Sequence, residues 1–309
     1  MESANARRAA TGWRTRLIPD NVLAFVSAAA WSLTGVLGAL TRLKRYEAMT
    51  DIPYAEGARH KLDVYRPTIA AAAPVIVFFY GGSWQSGEKA MYHFLAATLA
   101  ARGYAVVVPD YRLYPEGNFP DFLTDGAKAV RWTRENIATF RGDSERIFVM
   151  GHSAGAYIAA MLALDGQWLS GVALDPTRDI AGLIGVSGPY DFLPIRDPVL
   201  KIIFGGDNHP ATQPISFVEG RKPPAMLLTG DADGKVDPGN SKRLADELRR
   251  SGNDATDVMY RNFGHLTILA AFAPGLAAFL SPVTDIDAFV ERVSPRSSPT
   301  SMQAGRAVP

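Results

Sequence analysis

The chain has 309 residues, enough to bury the core of one large domain or two small ones. Its 47% hydrophobic and 20% charged residues exclude a disordered or collagen-like chain, and 32 basic against 31 acidic residues leave no overall positive charge for binding nucleic acid. The absence of cysteine excludes disulfides, thiolate metal sites and a cysteine nucleophile, so any chemistry has to come from hydroxyl, carboxylate or imidazole groups or from a cofactor.

Residues 1–49 form a basic and apolar leader. Residues 1–50 contain seven basic and three acidic residues, a net charge of +4. Between two basic clusters, residues 22–40 carry no charge and approach the roughly 20 residues that a helix needs to cross a bilayer. We therefore predict a membrane-associated protein with an uncleaved signal anchor at residues 22–40. The alternatives are a signal peptide, although its apolar stretch is usually shorter, and a buried or interfacial helix; the protein is then expected to be secreted or cytoplasmic.

After the leader, short apolar runs rich in Val, Ile, Phe and Tyr alternate with longer helical stretches. We predict strands at residues 61–65, 75–79, 104–108, 146–150, 181–186, 225–229 and 254–260. We predict helices at residues 89–102, 122–136, 154–163, 238–251 and 266–279. Apolar strands separated by helices predict an α/β fold, with a mostly parallel central sheet covered by helices on both faces.

This pattern assigns residues 50–281 to a single folded domain. Within it, the periodicity fades at residues 187–222, which contain several Pro and Gly residues. We interpret this stretch as a small cap inserted over one edge of the sheet. Residues 282–309 are predicted to form a short helix followed by a disordered tail, because the end of the chain has too few apolar residues to pack.

The turn after the strand at residues 146–150 reads GHSAG and runs directly into an apolar helix. In open parallel sheets, functional groups gather at the carboxyl ends of the strands. A G-x-S-x-G run between a strand and a helix is typical of a sharp turn that exposes a nucleophilic serine. Ser153 is therefore the candidate nucleophile.

A serine hydroxyl needs an imidazole to accept its proton and a carboxylate to orient that imidazole. Of the five histidines, His152 lies inside the GHSAG turn and is expected to point elsewhere. Three others precede the late strand and turn that should carry the acid: His60, His93 and His209. His265 alone follows that turn and is the candidate base.

Three aspartates follow the strand at residues 225–229 and compete for the role of the acid. Asp233 is our prediction, because the short turn places it at the apex of the loop. Asp231 is the alternative. Asp237 precedes Pro238 and is interpreted as a helix N-cap.

The negatively charged oxygen of a tetrahedral intermediate needs hydrogen-bond donors. The sequence YGGSW at residues 80–84 follows the strand at 75–79, and its glycines allow the backbone to turn N–H groups toward a ligand. We predict an oxyanion hole made by the backbone N–H groups of Gly82, Ser83 and Ala154. Trp84, Tyr190 and Phe192 fall on loops near this site and are predicted to line a substrate pocket, with ordinary packing as the alternative.

Six segments, taken together and in order, resemble the alpha/beta hydrolase esterase and lipase group. They are LDVYRP at 62–67, YGGSW at 80–84, PDYRLYPE at 109–116, GHSAG at 151–155, TGDADGKVDP at 229–238 and FGH at 263–265. Within the group, the sequence is most similar to small carboxylesterases of the feruloyl or acetyl esterase type and to arylformamidases. The order Ser153, Asp233, His265 is also that of the group. The resemblance therefore implies the alpha/beta-hydrolase fold and a Ser-Asp-His triad.

The sequence departs from the group at the oxyanion segment, where Tyr80 replaces the usual His and Ser83 replaces the third glycine. Because both changes leave the backbone donors in place, we expect them to affect substrate shape rather than catalysis. Asp110, Tyr111 and Arg112 of the PDYR segment are expected to be structural, closing a strand and holding a loop.

The resemblance implies a carboxylesterase that acts on a small-molecule ester. Because the insertion at 187–222 is short, we predict a small cap and hence a short acyl or compact aromatic substrate. No phosphate-binding loop, paired-histidine zinc motif or dinucleotide fingerprint occurs in the sequence, so no cofactor or metal is predicted. Amide or formamide hydrolysis uses the same triad and is the first alternative. A membrane-tethered, non-catalytic binding protein on the same fold is the second, disfavoured because every member of the triad is present.

Overall fold

The computed structural model describes residues 14–16, 46–70, 72–273 and 281–295. The predicted anchor at 22–40, the end of the predicted helix at 266–279 and most of the predicted tail lie outside the described residues. None of the helices within the described ranges is long and apolar enough to cross a membrane.

Nine strands form one sheet among the described residues. They are β1 (Arg14–Arg16), β2 (Tyr46–Pro53), β3 (Lys61–Pro67), β4 (Ala73–Phe79), β5 (Ala105–Pro109), β6 (Gly142–His152), β7 (Gly182–Val186), β8 (Ala225–Gly230) and β9 (Ala255–Tyr260). Their order across the sheet is β1-β9-β8-β7-β6-β4-β5-β3-β2. β3 runs antiparallel to both of its neighbours, β2 and β5, and all other neighbouring strands in the sheet are parallel. The predicted mostly parallel sheet is confirmed, and every predicted strand is present.

Eight α-helices accompany the sheet in the described part of the chain. They are α1 (His93–Ala101), α2 (Asp121–Asn136), α3 (Ala154–Leu164), α4 (Gly166–Ser170), α5 (Pro176–Asp179), α6 (Pro198–Ile203), α7 (Gly239–Arg250) and α8 (Ser281–Val293). The predicted helix at 89–102 begins with a 3-10 turn, Lys89–Tyr92.

The predicted α-helix at 266–279 is wrong in its described part, which is the 3-10 helix Thr267–Phe272. Ala273, the residue after the helix, has an extended backbone with ψ of 137°. Pro274 follows in the sequence, and the ring of a proline disfavours helical geometry in the residue before it. The proline therefore accounts for the early end.

The apolar strands and helix α3 form the core beneath the candidate site. Every residue of β4 and of β7 is buried, as is every residue of α3, which carries no charged side chain. α3 packs against β6 and β7 and is covered by α2. A helix buried on all sides is held firmly by its packing. The junction between β6 and α3 is therefore a rigid place for a reactive side chain.

The loop after β5 is held by the residues that were predicted to be structural. The Tyr111 hydroxyl donates to the Tyr80 carbonyl at 2.6 Å, and Asp110 Oδ1 accepts from the Tyr80 hydroxyl at 2.9 Å. The Arg112 guanidinium donates to both oxygens of the fully buried Asp125. These contacts connect the loop to β4 and α2.

The insertion at 187–222 folds into α6 and two 3-10 turns, Pro210–Thr212 and Pro214–Phe217. Asp197 caps α6, since its Oδ1 accepts from the N–H groups of Val199 and Leu200. The start of the insertion, up to Leu200, forms one wall of the cavity described below.

Candidate active site

Ser153 occupies a strained turn between β6, which ends at His152, and α3, which begins at Ala154. Its backbone has φ of 56° and ψ of −122°, a conformation that non-glycine residues rarely adopt. Its N–H donates to the Val186 carbonyl at 2.9 Å, which holds the turn against the end of β7. The serine side chain is thereby fixed at the carboxyl edge of the sheet.

Glycines on both sides make this turn possible. A Cβ at Gly155 would overlap the Phe79 carbonyl, and a Cβ at Gly151 would overlap the carbonyl of Gly155. The backbone of α3 therefore approaches β4 more closely than any side chain allows.

We expect Gly155→Ala to lower the free energy of unfolding by about 3 kcal/mol or more, because the overlap is with backbone that cannot move aside. Gly166→Ala is the matched control, since its Cβ would meet only Pro176, at 3.9 Å. That control should change stability by less than about 1 kcal/mol. Chemical denaturation of both variants measures the difference. Equal stability of the two would contradict the packing described for Gly155.

The structure brings Ser153, His265 and Asp233 into one hydrogen-bonded chain. His265 Nε2 lies 2.9 Å from Ser153 Oγ, and His265 Nδ1 lies 2.8 Å from Asp233 Oδ2. A carboxylate only accepts hydrogen bonds, so the proton of the neutral imidazole resides on Nδ1. The lone pair of Nε2 then faces the serine hydroxyl, which is the arrangement that proton transfer from Ser153 requires.

Asp233 is held as an ionised carboxylate. Its side chain is fully buried, and its Oδ1 accepts from the backbone N–H groups of Lys235 and Val236, both at 3.0 Å. Burial raises the pKa of Asp233, but the hydrogen bonds from His265, Val236 and Lys235 outweigh burial and hold the pKa below its usual value. The carboxylate therefore keeps its charge in a site closed to water.

The other two aspartates of this turn lie elsewhere. Asp231 is exposed, and its Oδ1 accepts from the Asn262 N–H at 2.6 Å, so it braces the loop that leads to His265. Asp237 Oδ1 accepts from the Gly239 N–H at 2.9 Å. Pro238, rather than Asp237, occupies the N-cap position of α7, because the helix begins one residue later than predicted.

The loop after β4 passes directly over Ser153. A Cβ at Gly81 would lie 2.9 Å from Ser153 Cβ, so the two backbones are in contact. Gly82 and Ser83 both have positive φ, 144° and 53°. Among the described residues, the N–H groups of Gly82, Ser83 and Ala154 have no hydrogen-bond acceptor. They remain available as donors at the positions where the sequence predicts an oxyanion hole.

Tyr80, which replaces the histidine usual in the group that the sequence resembles, points into the protein. Its hydroxyl donates to Asp110 and accepts from Arg59 at 2.6 Å, and its ring stacks on Tyr111 and Tyr92. Burial raises the pKa of Tyr80 well above the usual value, so this phenol stays neutral. Tyr80 therefore supports the loop from beneath.

A cavity of about 480 Å³ opens beside Ser153. Trp84 and Phe192 line it as predicted, and their rings lie 6.2 Å apart within an aromatic cluster that includes Tyr157 and Phe204. The prediction for Tyr190 is wrong, because its side chain is fully buried and turned away from the cavity.

The position of Tyr190 has a simple cause. Its N–H donates to Asn240 Oδ1 at 2.8 Å, which fixes the backbone. Its ring then fills the space that Gly185 and Gly188 leave without side chains.

The expectation that His152 points away from the site is also wrong. His152 Nε2 lies 2.9 Å from the His265 carbonyl, and the two imidazole rings are 4.8 Å apart. A carbonyl only accepts, so Nε2 of His152 carries the proton. Burial lowers the pKa of His152 to about 4, with further contributions from the charges of His265 and Lys235. His152 is therefore a neutral donor that fastens the loop of His265 to the residue beside the nucleophile.

We expect His152→Phe to lower kcat about tenfold and to change KM less than threefold, the loss that one hydrogen bond positioning His265 would cause. His152→Gln retains an N–H donor of similar reach and should recover most of the activity. Steady-state kinetics on an activated ester measures both. Equal losses in the two variants would contradict this role for the N–H group.

The described residues contain no cluster of His, Asp or Glu side chains arranged to hold a metal ion. The groups that the structure gathers around the cavity are a hydroxyl, an imidazole, a carboxylate and backbone N–H donors. This set matches nucleophilic attack on a carbonyl carbon.

The BD-FAE family model matches residues 62–248 of the chain. The chain is 31% identical to the isoprenylcysteine alpha-carbonyl methylesterase ICME of Arabidopsis thaliana, over 69% of the chain and 55% of that relative. It is 35% identical to the kynurenine formamidase of Salmo salar, over 48% of each protein. The chain thus spans about half the length of the curated relatives it matches.

Among solved structures, the chain is similar to a truncated carbohydrate esterase from gut microbiota. The two share 22% sequence identity with a TM-score of 0.71, over 82% of this chain and 99% of that structure. At this level of identity the likeness establishes a shared fold.

Proposed function

The chain belongs to the BD-FAE family of the alpha/beta hydrolase esterase group, and from that premise we propose that it is a serine hydrolase of carboxylic esters. The observation that carries this proposal is the hydrogen-bonded chain from Ser153 through His265 to Asp233, beside an open cavity. The name of one relative, a methylesterase, supports ester hydrolysis.

In the first half of the proposed reaction, Ser153 Oγ attacks the ester carbonyl carbon as its proton passes to His265 Nε2. The ionised Asp233 stabilises the imidazolium that forms. The carbonyl oxygen becomes an oxyanion and is bound by the free N–H groups of Gly82, Ser83 and Ala154. The tetrahedral intermediate then collapses, and His265 gives its proton to the departing alcohol.

In the second half, water attacks the acyl group bound to Ser153 and gives a proton to His265 Nε2. The new oxyanion occupies the same N–H groups. When it collapses, the bond to Ser153 Oγ breaks, His265 returns the proton to that oxygen, and the carboxylic acid leaves. The protein returns to its starting state, and neither half of the proposed reaction uses a cofactor.

The cavity favours a small acyl group or a compact aromatic group. Its volume of about 480 Å³ is in the lower part of the range of small-molecule sites. Trp84, Phe192 and Leu193 provide the apolar wall. The short insertion at 187–222 adds only one small helix above it.

Amide or formamide hydrolysis is the second candidate, favoured by the similarity to a kynurenine formamidase. The same triad attacks both carbonyls. The two activities differ in the leaving group, because an amine is a poorer leaving group than an alcohol and depends more strongly on protonation by His265.

Hydrolysis of p-nitrophenyl esters from acetate to decanoate, compared with the aryl amide and formamide of the same ring, tests these proposals together. We expect the largest kcat/KM for acetate to butyrate and at least tenfold lower values for the amides. A maximum at long chains would overturn the proposed substrate size. Faster cleavage of the formamide than of the formate ester would favour the second candidate.

We retain the proposal that residues 22–40 attach the protein to a membrane, because this segment is uncharged and flanked by basic clusters. Fractionation of the full chain beside a chain that starts at Tyr46, the first residue of β2, tests it. The full chain should sediment with membranes and the shorter one should remain in the supernatant. Equal distribution of both would overturn the proposal.

A further inference from the structure

Most polar side chains around the cavity bond to one another. The Arg243 guanidinium donates to Asp191 at 2.6 Å and to Asp237 at 3.0 Å. Asn240 Oδ1 accepts from the N–H groups of Tyr190 and Asp191, and its amide N–H donates to the Asp237 carbonyl. Arg243 and the two aspartates together carry a net charge of −1, and these bonded groups have few hydrogen bonds left to offer a ligand.

Lys235 and Arg196 are different. Both line the cavity and both are exposed. Within the part of the chain that the structure describes, neither side chain forms an ion pair or a hydrogen bond. The five charged residues of the lining sum to +1: Lys235 and Arg196 carry +2, and the paired group of Arg243, Asp191 and Asp237 carries −1.

The two cations belong to different segments of the chain that line the same cavity. Arg196 belongs to the inserted segment, close to Leu193 and Leu200 of the wall. Lys235 follows the acid of the candidate triad, and its backbone N–H donates to Asp233 Oδ1 at 3.0 Å. This hydrogen bond fixes the backbone of Lys235 relative to the candidate triad.

The charge of Lys235 also reaches the candidate catalytic centre. Burial is the main cause that lowers the pKa of His152, and the Lys235 ammonium lowers that pKa further. His152 is adjacent to Ser153 in the chain. Lys235 and Ser153 line the same cavity, so the ammonium can act on a charge carried by a substrate bound there.

The rest of the lining is apolar, with Trp84, Phe192, Leu200 and Val236 among its members. Such a surface binds the hydrocarbon body of a ligand, while a few polar groups select its identity. Here the polar side chains left for that task are cationic donors. They match a carboxylate, which accepts charge-assisted hydrogen bonds from both Lys and Arg.

We propose that the preferred substrate is an ester that also carries a carboxylate away from the scissile bond, and that Lys235 and Arg196 bind this carboxylate. This inference rests on the proposed esterase function. It defines the substrate class as half-esters of dicarboxylic acids, with the carboxylate on the acyl side, or hydroxy acids acylated on their hydroxyl group, with the carboxylate on the alcohol side.

Two pairs of substrates test the inference in the full chain. On the alcohol side, 4-acetoxybenzoate is compared with neutral 4-acetoxybenzamide. On the acyl side, mono-4-nitrophenyl adipate is compared with 4-nitrophenyl hexanoate. In at least one pair, we expect the anionic ester to have about tenfold higher kcat/KM at low salt. That ratio should fall toward one between about 20 mM and about 500 mM NaCl.

Substitutions identify the residues responsible. Lys235→Gln and Arg196→Gln should each lower the ratio about threefold, and Lys235→Glu should bring it below one. The matched controls remove one positive charge outside the cavity, at the exposed Lys61 and Arg250. Lys61→Gln and Arg250→Gln should leave the ratio at the wild-type value.

The outcomes separate this inference from the proposed function. If the wild-type protein hydrolyses the neutral esters but shows no preference for either anionic ester, only the carboxylate inference is overturned. The same holds if the control substitutions change the ratio as much as those at Lys235 and Arg196. If no ester is hydrolysed and Ser153 does not react with an organophosphonate, the esterase function fails, and the inference fails with it.

Discussion

Replacing Ser153 with alanine is expected to lower kcat/KM for p-nitrophenyl acetate by about 10⁴-fold or more. The reason is that His265 Nε2 then faces a methyl group, and no other hydroxyl occupies the turn between β6 and α3. The substitution removes only one oxygen atom. The strained backbone conformation of residue 153 is already present in the wild-type protein, so alanine adds no new strain. The melting temperature should therefore stay close to that of the wild type, which would show that the loss of activity comes from the chemical step and not from unfolding.

Ser170→Ala is the control for this substitution. Ser170 is exposed at the end of α4, and its hydroxyl donates to the Gln167 carbonyl. Its loss should leave kcat/KM within about twofold of wild type. A Ser153→Ala protein that keeps a tenth or more of wild-type activity would contradict a nucleophilic role for Ser153.

Replacing Asp233 with asparagine is expected to lower kcat by about 10³- to 10⁴-fold, with a much smaller change in KM. The asparagine side chain has no charge to stabilise the imidazolium that forms when His265 takes the proton of Ser153. Its amide group also favours the tautomer with the proton on Nε2, which removes the acceptor that the serine needs. Steady-state kinetics on p-nitrophenyl acetate measures the effect.

Asp231→Asn is the matched comparison, since it changes the same functional group two residues away. Asparagine keeps the Oδ1 that accepts from the Asn262 N–H. We expect activity within about threefold of wild type. The reverse pattern, with loss of activity at Asp231 and retention at Asp233, would assign the acid to Asp231.

The architecture was predictable because the central strands are continuous apolar runs, buried on both faces between helices. The turn at Ser153 was predictable for a related reason. Its flanking glycines are required by backbone contacts with Phe79 and Gly155, and such requirements leave a visible spacing in the sequence.

The edge strands escaped prediction because they lack that pattern. β2 has no fully buried position, its partly buried residues recur at every third rather than every second position, and it has a bulge between Met49 and Ile52. β1 consists of Arg14, Thr15 and Arg16, without an apolar side chain. Both pair at the ends of the sheet, where a strand has one neighbour and needs no continuous apolar run.

Contacts between distant parts of the chain were the harder problem. Tyr190 turns inward because Gly185 and Gly188 leave space for its ring. No local sequence pattern predicts that orientation. His152 meets the His265 carbonyl only once β6 and the loop after β9 are side by side in space. Its position next to Ser153 was the one available signal. Likewise, Arg196 and Lys235 line the same cavity from segments about 40 residues apart.

Covalent labelling with a fluorophosphonate, followed by mass spectrometry of the digested protein, tests the central claim most directly. A hydroxyl activated by an imidazole attacks the phosphorus atom and remains attached to it. We predict one adduct, on Ser153, that is lost when the protein is unfolded before labelling. Folded protein that carries no adduct, or carries it on a residue other than Ser153, would contradict the account.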